Sequence, residues 1–271
     1  MKKHPEIDAL LRSLDASVLK RYGQNFLIDD FIIQKTFATL ALQPGETILE
    51  IGPGLGALTK HVPFQHHTYI SYEIDRQYHA YLSKTYTTNT THHLGNFLKA
   101  VSETVDVILG NLPYYVTSDI LEKIFKDFPM FKRGVFLVQK EVIERLIAQP
   151  GDNAYGPLAI LVQSLGEIQT ITDVHPASFY PEPHVTSTLF LWTNNHHVSV
   201  EVARPFFYFL KKLFLNRRKN ILNNLTFING AKEEKTRQLQ ALGIEDNRRP
   251  ESLTIQEVWM VYDAFKSQIT L

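Results

Sequence analysis

The residues of this 271-residue chain that could do chemistry most directly are four in a row: Asn111, Leu112, Pro113 and Tyr114. An aromatic amine is a weak nucleophile because its lone pair is conjugated into the ring. The Asn111 side-chain oxygen and the Leu112 carbonyl can each accept one N–H of such an amine. Two acceptors hold the nitrogen in place and leave its lone pair facing a sulfonium methyl. Pro113 fixes its own backbone angle and brings no competing donor, and Tyr114 offers a face on which a base can stack. Transfer would then be an in-line displacement governed by positioning. Read alone, N-x-P-Y is an ordinary turn, and its context has to carry the chemistry.

That context is a glycine loop with an acid downstream. Glu50-Ile-Gly52-Pro-Gly54-Leu-Gly56 follows an apolar stretch, and Glu73 ends the next one, 21 residues after Gly52. Glycines there let a ligand approach the backbone closely, and an acid at that distance suits ribose hydroxyls. Together they indicate an adenosine-containing cofactor without saying which. The alternative is a tight structural turn and a surface glutamate.

These groups need a scaffold, and the hydrophobic pattern supplies one. Thr47–Ile51, Thr68–Glu73, Val105–Leu109 and Gly134–Val138 read as strands, with helical stretches around 56–62, 75–85 and 117–127 between them. Such alternation predicts an α/β fold, a mainly parallel sheet with helices on both faces. Two further apolar stretches, 168–174 and 186–192, permit an antiparallel pair closing the sheet. Residues 6–18 and 30–42 read as helices before the first strand. After Asn194 the strand signal stops, and 203–227, 232–242 and 254–268 read as helices. The expected division is a catalytic domain over 1–195, including the N-terminal helix 6–18, and a small all-helical domain over 196–271.

Composition narrows the possibilities. With no cysteine the chain has no disulfide, thiolate metal site or cysteine nucleophile. No apolar run is long enough for a bilayer, and the start lacks a signal-peptide core, so a cytoplasmic protein without a membrane partner is expected. Formal net charge is zero, but its distribution is uneven. Residues 201–271 hold 12 Lys/Arg against 8 Asp/Glu, and no acid lies between Glu201 and Glu233. Lys211, Lys212, Arg217, Arg218 and Lys219 fall in that acid-free stretch. They form either a phosphate-backbone contact or a solvated helix face. The adjacent histidines at 66–67, 92–93 and 196–197 lack metal-ligand spacing and read as surface residues, with no metal site expected. Aromatics in 206–210 read as core.

On these motifs the chain resembles the bacterial small-subunit rRNA adenine N6-dimethyltransferases (the KsgA/RsmA family). KRYGQNFL (20–27), EIGPGLGALT (50–59), YEID (72–75) and GNLPYYVTS (110–118) carry the resemblance. So do VQKEVIERL (138–146), YGPLAILVQ (155–163), VHPASFYPEPHVTS (174–187), FLNRRKNILNNL (214–225) and RRPESLTIQE (248–257). The resemblance implies a Rossmann-like class I methyltransferase sheet and S-adenosylmethionine as cofactor. It also implies action on two adjacent adenines in the 3′-terminal hairpin loop of 16S rRNA. The expected partner is a pre-30S particle late in assembly, met by a monomer.

Residue by residue, the resemblance implies that Asn25 and Leu27 line the cofactor pocket and Gly52 approaches the methionine portion. Glu73 would bind the ribose, Asn96 the cofactor adenine, and Asn111 both cofactor and target amine. Tyr114 and Phe179 would sandwich the target adenine. Two positions depart from the family: Asn96 replaces the usual aspartate, and His184 a common lysine. Within the same fold, a methyltransferase of large-subunit rRNA is the nearest alternative. A binding protein acting as an assembly checkpoint is another.

Overall fold

A computed structural model describes residues 4–16 and 24–269 of the chain. The KRYG half of the motif at 20–27, and the end of the helix expected over 6–18, lie outside the described residues. The elements in order are α1 (Pro5–Ser13), β1 (Phe26–Leu27), α2 (Asp30–Leu40), β2 (Thr47–Ile51), β3 (Thr68–Glu73), α3 (Arg76–Thr85), β4 (Thr90–Leu94) and β5 (Val107–Asn111). There follow α4 (Thr117–Asp127), β6 (Arg133–Gln139), α5 (Lys140–Leu146), α6 (Pro157–Leu165), β7 (Gly166–Val174), β8 (Phe179–Tyr180) and β9 (Ser187–Asn194). The last four are α7 (Val200–Leu213), α8 (Ile221–Asn224), α9 (Lys232–Ala241) and α10 (Ile255–Phe265).

Seven strands form one sheet in the order β4-β3-β2-β5-β6-β9-β7, while β1 and β8 pair separately. The five strands from β4 to β6 are parallel, and β9 and β7 close the edge antiparallel. Alternation along β5 and β6 explains why both faces need helices. Val107, Leu109, Val135 and Leu137 share a buried cluster with Ile32, Ile33 and Leu40 of α2. Ile108, Phe136 and Val138 belong to the opposite cluster, with Ile120, Leu121 and Ile124 of α4. The expected α/β class with helices on both faces is therefore what the chain adopts.

The helices after Asn194 join this second cluster directly. Phe206, Phe209 and Phe265 are fully buried in the same continuous core as Phe136 and Trp192. An ion network centred on the buried Asp127 spans the seam: this carboxylate of α4 receives Lys123 at 2.7 Å and the half-exposed Arg204 of α7 at 2.8 Å.

Several local expectations need correction. Residues 56–62 form turns and a short 3-10 segment, Thr59–His61, and not an α-helix. Gly56 sits at φ +81°, and Pro63 holds Val62 in extended backbone, so no helix can extend through either end. The single helix expected over 203–227 is broken. α7 ends at Leu213, and Asn220 caps α8 by accepting from the Asn223 amide. The Asn224 side chain donates to the carbonyls of Asn216, Lys219 and Asn220 at 3.1 Å each. Asparagines that satisfy backbone groups this way favour a turn over a continuing helix. The strand before Asn111 begins at Val107 and includes Asn111 itself. Strand β4, which the apolar pattern did not predict, carries the polar residues Thr90, Thr91, His92 and His93.

Of the paired histidines, His66, His196 and His197 are exposed as expected, and the other three are not. His67 is buried against the Glu46 carbonyl, and half-buried His92 lies 2.8 Å from Ser71 Oγ. His93 stacks on Tyr72 with centroids 4.5 Å apart. Among the described residues no helix is long and apolar enough to cross a membrane.

Candidate active site

The ends of β2, β3 and β5 meet at the carboxyl edge of the sheet, where open α/β sheets bind ligands. A solvent-open cleft lies there, enclosing about 780 Å³ of empty space with the solvent at its mouth included. Gly52, Gly54, Glu73, Asn111, Leu112, Pro113 and Tyr114 line it, together with Asn25 and Leu27 from the N-terminal segment. The sequence-expected residues from three strands and one loop are thus brought together.

Gly52 shows why the loop is built as it is. It sits at φ +66°, and a Cβ there would meet no protein atom within 4 Å. The glycine is needed for the backbone turn, and the space a side chain would take stays open. Glu73 then locks the loop. Its Oε2 accepts the Gly54 amide and its Oε1 the Asp75 amide, both at 2.8 Å. Burial raises the Glu73 carboxyl, while the two amides pull it back toward the charged form. Each oxygen keeps a lone pair for a hydroxyl of a bound ligand.

At Asn111 the amide is fixed in one orientation. Its Nδ2 donates to the Asn25 carbonyl at 2.7 Å, which leaves Oδ1 as the acceptor. The Leu112 amide is spent on the Leu137 carbonyl at 3.0 Å. Tyr114 is half-buried, and its hydroxyl lies 2.6 Å from Ser187 Oγ on β9. One strand end therefore offers an oriented amide oxygen, a peptide carbonyl and an anchored aromatic ring.

Two expected site residues are placed elsewhere. Phe179 is 1% exposed and packs in the core among Leu27, Leu109, Leu137 and Leu189. It is no wall of the cavity. Its register with Leu27 across the β1–β8 pair turns it inward, so no open sandwich with Tyr114 exists here. Asn96 is exposed and also outside the cavity wall, one strand beyond Glu73. Its Oδ1 accepts the Leu98 amide at 2.9 Å and so caps the 3-10 turn Phe97–Lys99. The oxygen assigned to an incoming adenine already has a partner.

The basic residues do not share one helix stripe. Lys211 pairs with Glu122 at 2.6 Å, and Lys211 and Lys212 lie over the rings of Phe207 and Phe227, respectively. Arg217 donates to the carbonyls of Asn153 and Tyr155. Arg218 and Lys219, exposed on the turn beyond α7, have no ion-pair partner among the described residues. Of the five basic residues expected to meet RNA, Arg218 and Lys219 on that turn are the two that no acid or ring engages among the described residues.

Sequence reasoning missed Glu50. It is 2% exposed beneath the glycine loop, accepting Tyr69 Oη at 2.7 Å and Thr59 Oγ1 at 2.9 Å. Burial pushes its carboxyl up to about 7. The signal was available: a lone carboxylate between the apolar residues Leu49 and Ile51 of the strand TILEI. Tyr115, exposed at the cavity mouth, was also missed.

Comparison with known proteins follows the same line. Residues 16–267 match the family model described as ribosomal RNA adenine dimethylase. Curated relatives named ribosomal RNA small subunit methyltransferase A include one from Mycoplasma mobile, 34% identical and covering 87% of this chain and 93% of its own. Another, from Geobacillus kaustophilus, is 36% identical over 92% of this chain and 91% of its own. In fold, the chain is similar to a dimethyladenosine transferase from Plasmodium falciparum, with a TM-score of 0.73 at 22% identity. That match covers 90% of this chain and 98% of the other. The 23S rRNA methyltransferase ErmE superposes with a TM-score of 0.62 at 21% identity, covering 89% and 100% of the two chains.

Proposed function

The chain belongs to the ribosomal RNA adenine dimethylase family, and from that premise we propose which adenines it modifies and how. It is an S-adenosylmethionine-dependent rRNA adenine dimethyltransferase, as the family description has it, and the name its relatives carry, ribosomal RNA small subunit methyltransferase A, supports the small subunit as the substrate. The reading taken further is that it methylates N6 of two adjacent adenines in the 3′-terminal hairpin loop. It would do so as a cytoplasmic monomer, on a pre-30S particle late in assembly.

The residues present suit that cofactor. An open space at Gly52, a buried acid at Glu73 and a lining of mixed polarity fit an amino acid joined to a nucleoside. When bound, S-adenosylmethionine supplies an electrophilic methyl on a sulfonium. Asn25 holds the Asn111 amide so that Oδ1 faces outward as an acceptor. Asn111 Oδ1 and the Leu112 carbonyl would take the two N–H groups of the target amine. That arrangement fixes the nitrogen and turns its lone pair to the methyl. Tyr114, anchored through Ser187, would stack on the base. Phe179 supports from behind, through Leu27. The amine sheds its proton only after it has become cationic, so no buried base is required.

The observation that carries this reading is the oriented Asn111 amide beside the Leu112 carbonyl at the end of β5. Residues 1–195 act as the methyltransferase domain, and 196–271 as the helical rRNA-contacting domain. The test is methyl transfer from labelled cofactor to immature small subunits, followed by a primer-extension map. Stops at two adjacent adenines near the 3′ end are expected. Stops in large-subunit rRNA instead would overturn the small-subunit assignment, and binding without transfer would favour a checkpoint.

A further inference from the structure

Two tyrosines follow Pro113, and the structure treats them differently. Tyr114 is half-buried and held by its hydroxyl against Ser187. Tyr115 is 58% exposed, yet it lines the same cavity as Asn111 and Gly52. Its backbone is firmly placed. The Val116 amide donates to the Pro113 carbonyl at 3.1 Å, and Thr117 Oγ1 donates to the same oxygen at 3.0 Å. Successive side chains on a 3-10 turn point about 120° apart, since it has three residues per turn. The two rings therefore face different directions from one rigid support.

Drawing an adenine out of a loop strips its neighbour of a stacking partner. An exposed aromatic ring at the mouth can replace that partner for any base, because every base has a π-face. We propose that Tyr115 stacks on the nucleotide beside the target adenine and thereby positions the RNA. The inference rests on the RNA adenine reading above. The strand enters the cavity with one polarity, so the ring receives the nucleotide on the same side of whichever adenine is bound, which is the companion adenine in one of the two rounds. Tyr115 is then a substrate-positioning residue used in both rounds of methylation. An alternative role for the ring is to cover the bound cofactor, and the two roles are separable.

The test compares Tyr115→Ala and Tyr115→Phe with the unaltered chain on immature small subunits. Tyr115→Ala should raise KM for the particles roughly fivefold or more, as expected for loss of one base stack. Its kcat at saturating particles should stay within about twofold, and cofactor affinity by calorimetry should not change. Tyr115→Phe keeps the π-face and should retain the original KM, whereas a role for the hydroxyl would fail this rescue. An unchanged KM in Tyr115→Ala would overturn the proposal, and so would a comparable loss of cofactor affinity. Absence of transfer by the unaltered chain would instead overturn the parent reading.

Discussion

The Asn111 side chain donates its Nδ2 hydrogen to the Asn25 carbonyl at 2.7 Å, joining positions 86 residues apart. A free asparagine could present either end of its amide to a ligand. The segment before β1 removes that choice, and the acceptor oxygen is the end left over. N-terminal chain and catalytic strand are thus one device.

Asn111→Ala should nearly abolish transfer while leaving the fold intact. By analogy with removal of one oxyanion donor, the loss is about 3 kcal/mol, or roughly a hundredfold in kcat. Single-turnover rates on immature particles, with thermal melts alongside, measure both. A variant within about threefold of the unaltered enzyme, near 0.65 kcal/mol, would refute the role.

Phe179→Ala should act through stability. A fully buried phenylalanine among Leu27, Leu109, Leu137 and Leu189 leaves a cavity when truncated. The cost is about 3–5 kcal/mol. Denaturant unfolding should show this, with particle affinity little changed well below the midpoint. A stable variant with weakened affinity would instead place the ring against the base.

Asn96 lies outside the cavity wall, and Asn96→Asp tests whether the cofactor's adenine extends to it: such contact predicts severalfold tighter S-adenosylmethionine binding. Oδ1 of Asn96 already caps Leu98, so an aspartate would add a second, charged oxygen for the adenine amine. The difference between charged and neutral hydrogen bonds is roughly 1 kcal/mol. The gain should fade as pH falls through about 4 and the carboxylate protonates. Titration calorimetry decides, and equal affinities at neutral pH would remove Asn96 from the adenine site.

Glu50 makes the cofactor-free protein lose stability as pH rises. Its carboxyl, near 4.5 when unfolded, is pushed up to about 7 by burial. Below 4.5 both states hold the proton. Between the two values only the folded state keeps it, so stability falls through this window and levels off above it. The span corresponds to an order of 3 kcal/mol. Glu50→Gln can still accept from Tyr69 and Thr59, and it should flatten the slope in urea unfolding at pH 5 and pH 8. An unchanged slope would assign the dependence to other groups.

Arg218→Ala with Lys219→Ala should weaken particle binding and flatten its salt dependence, by roughly 0.7–0.9 in log–log slope for each phosphate no longer neutralised. Neutralising Lys211 and Lys212 as well should add little, because Lys211 is paired with Glu122 and both cations lie over rings. Cofactor affinity should not move. A larger effect from the lysine pair than from the turn would reverse this assignment.

By itself the sequence determined what depends on local pattern. Apolar alternation marked β2, β3, β6 and the closing pair β7–β9, and the glycine loop, Glu73 and N-L-P-Y were legible from residue types and spacing. Short-range chemistry governs those features: backbone conformation at glycine, two acceptors beside a proline, and a period of two along a strand. Tertiary structure decided what depends on contacts between distant segments. Nothing near Phe179 in sequence reports that the β1–β8 pair turns it into the core. Nothing near Asn111 reports that Asn25 orients its amide. The polar strand β4 exists because β3 offers it an edge, its own residues being poor evidence for a strand. The basic residues from Lys211 to Lys219 share no helix face, because Asn220 and Asn224 hold a turn where the helix expected over 203–227 would have to continue.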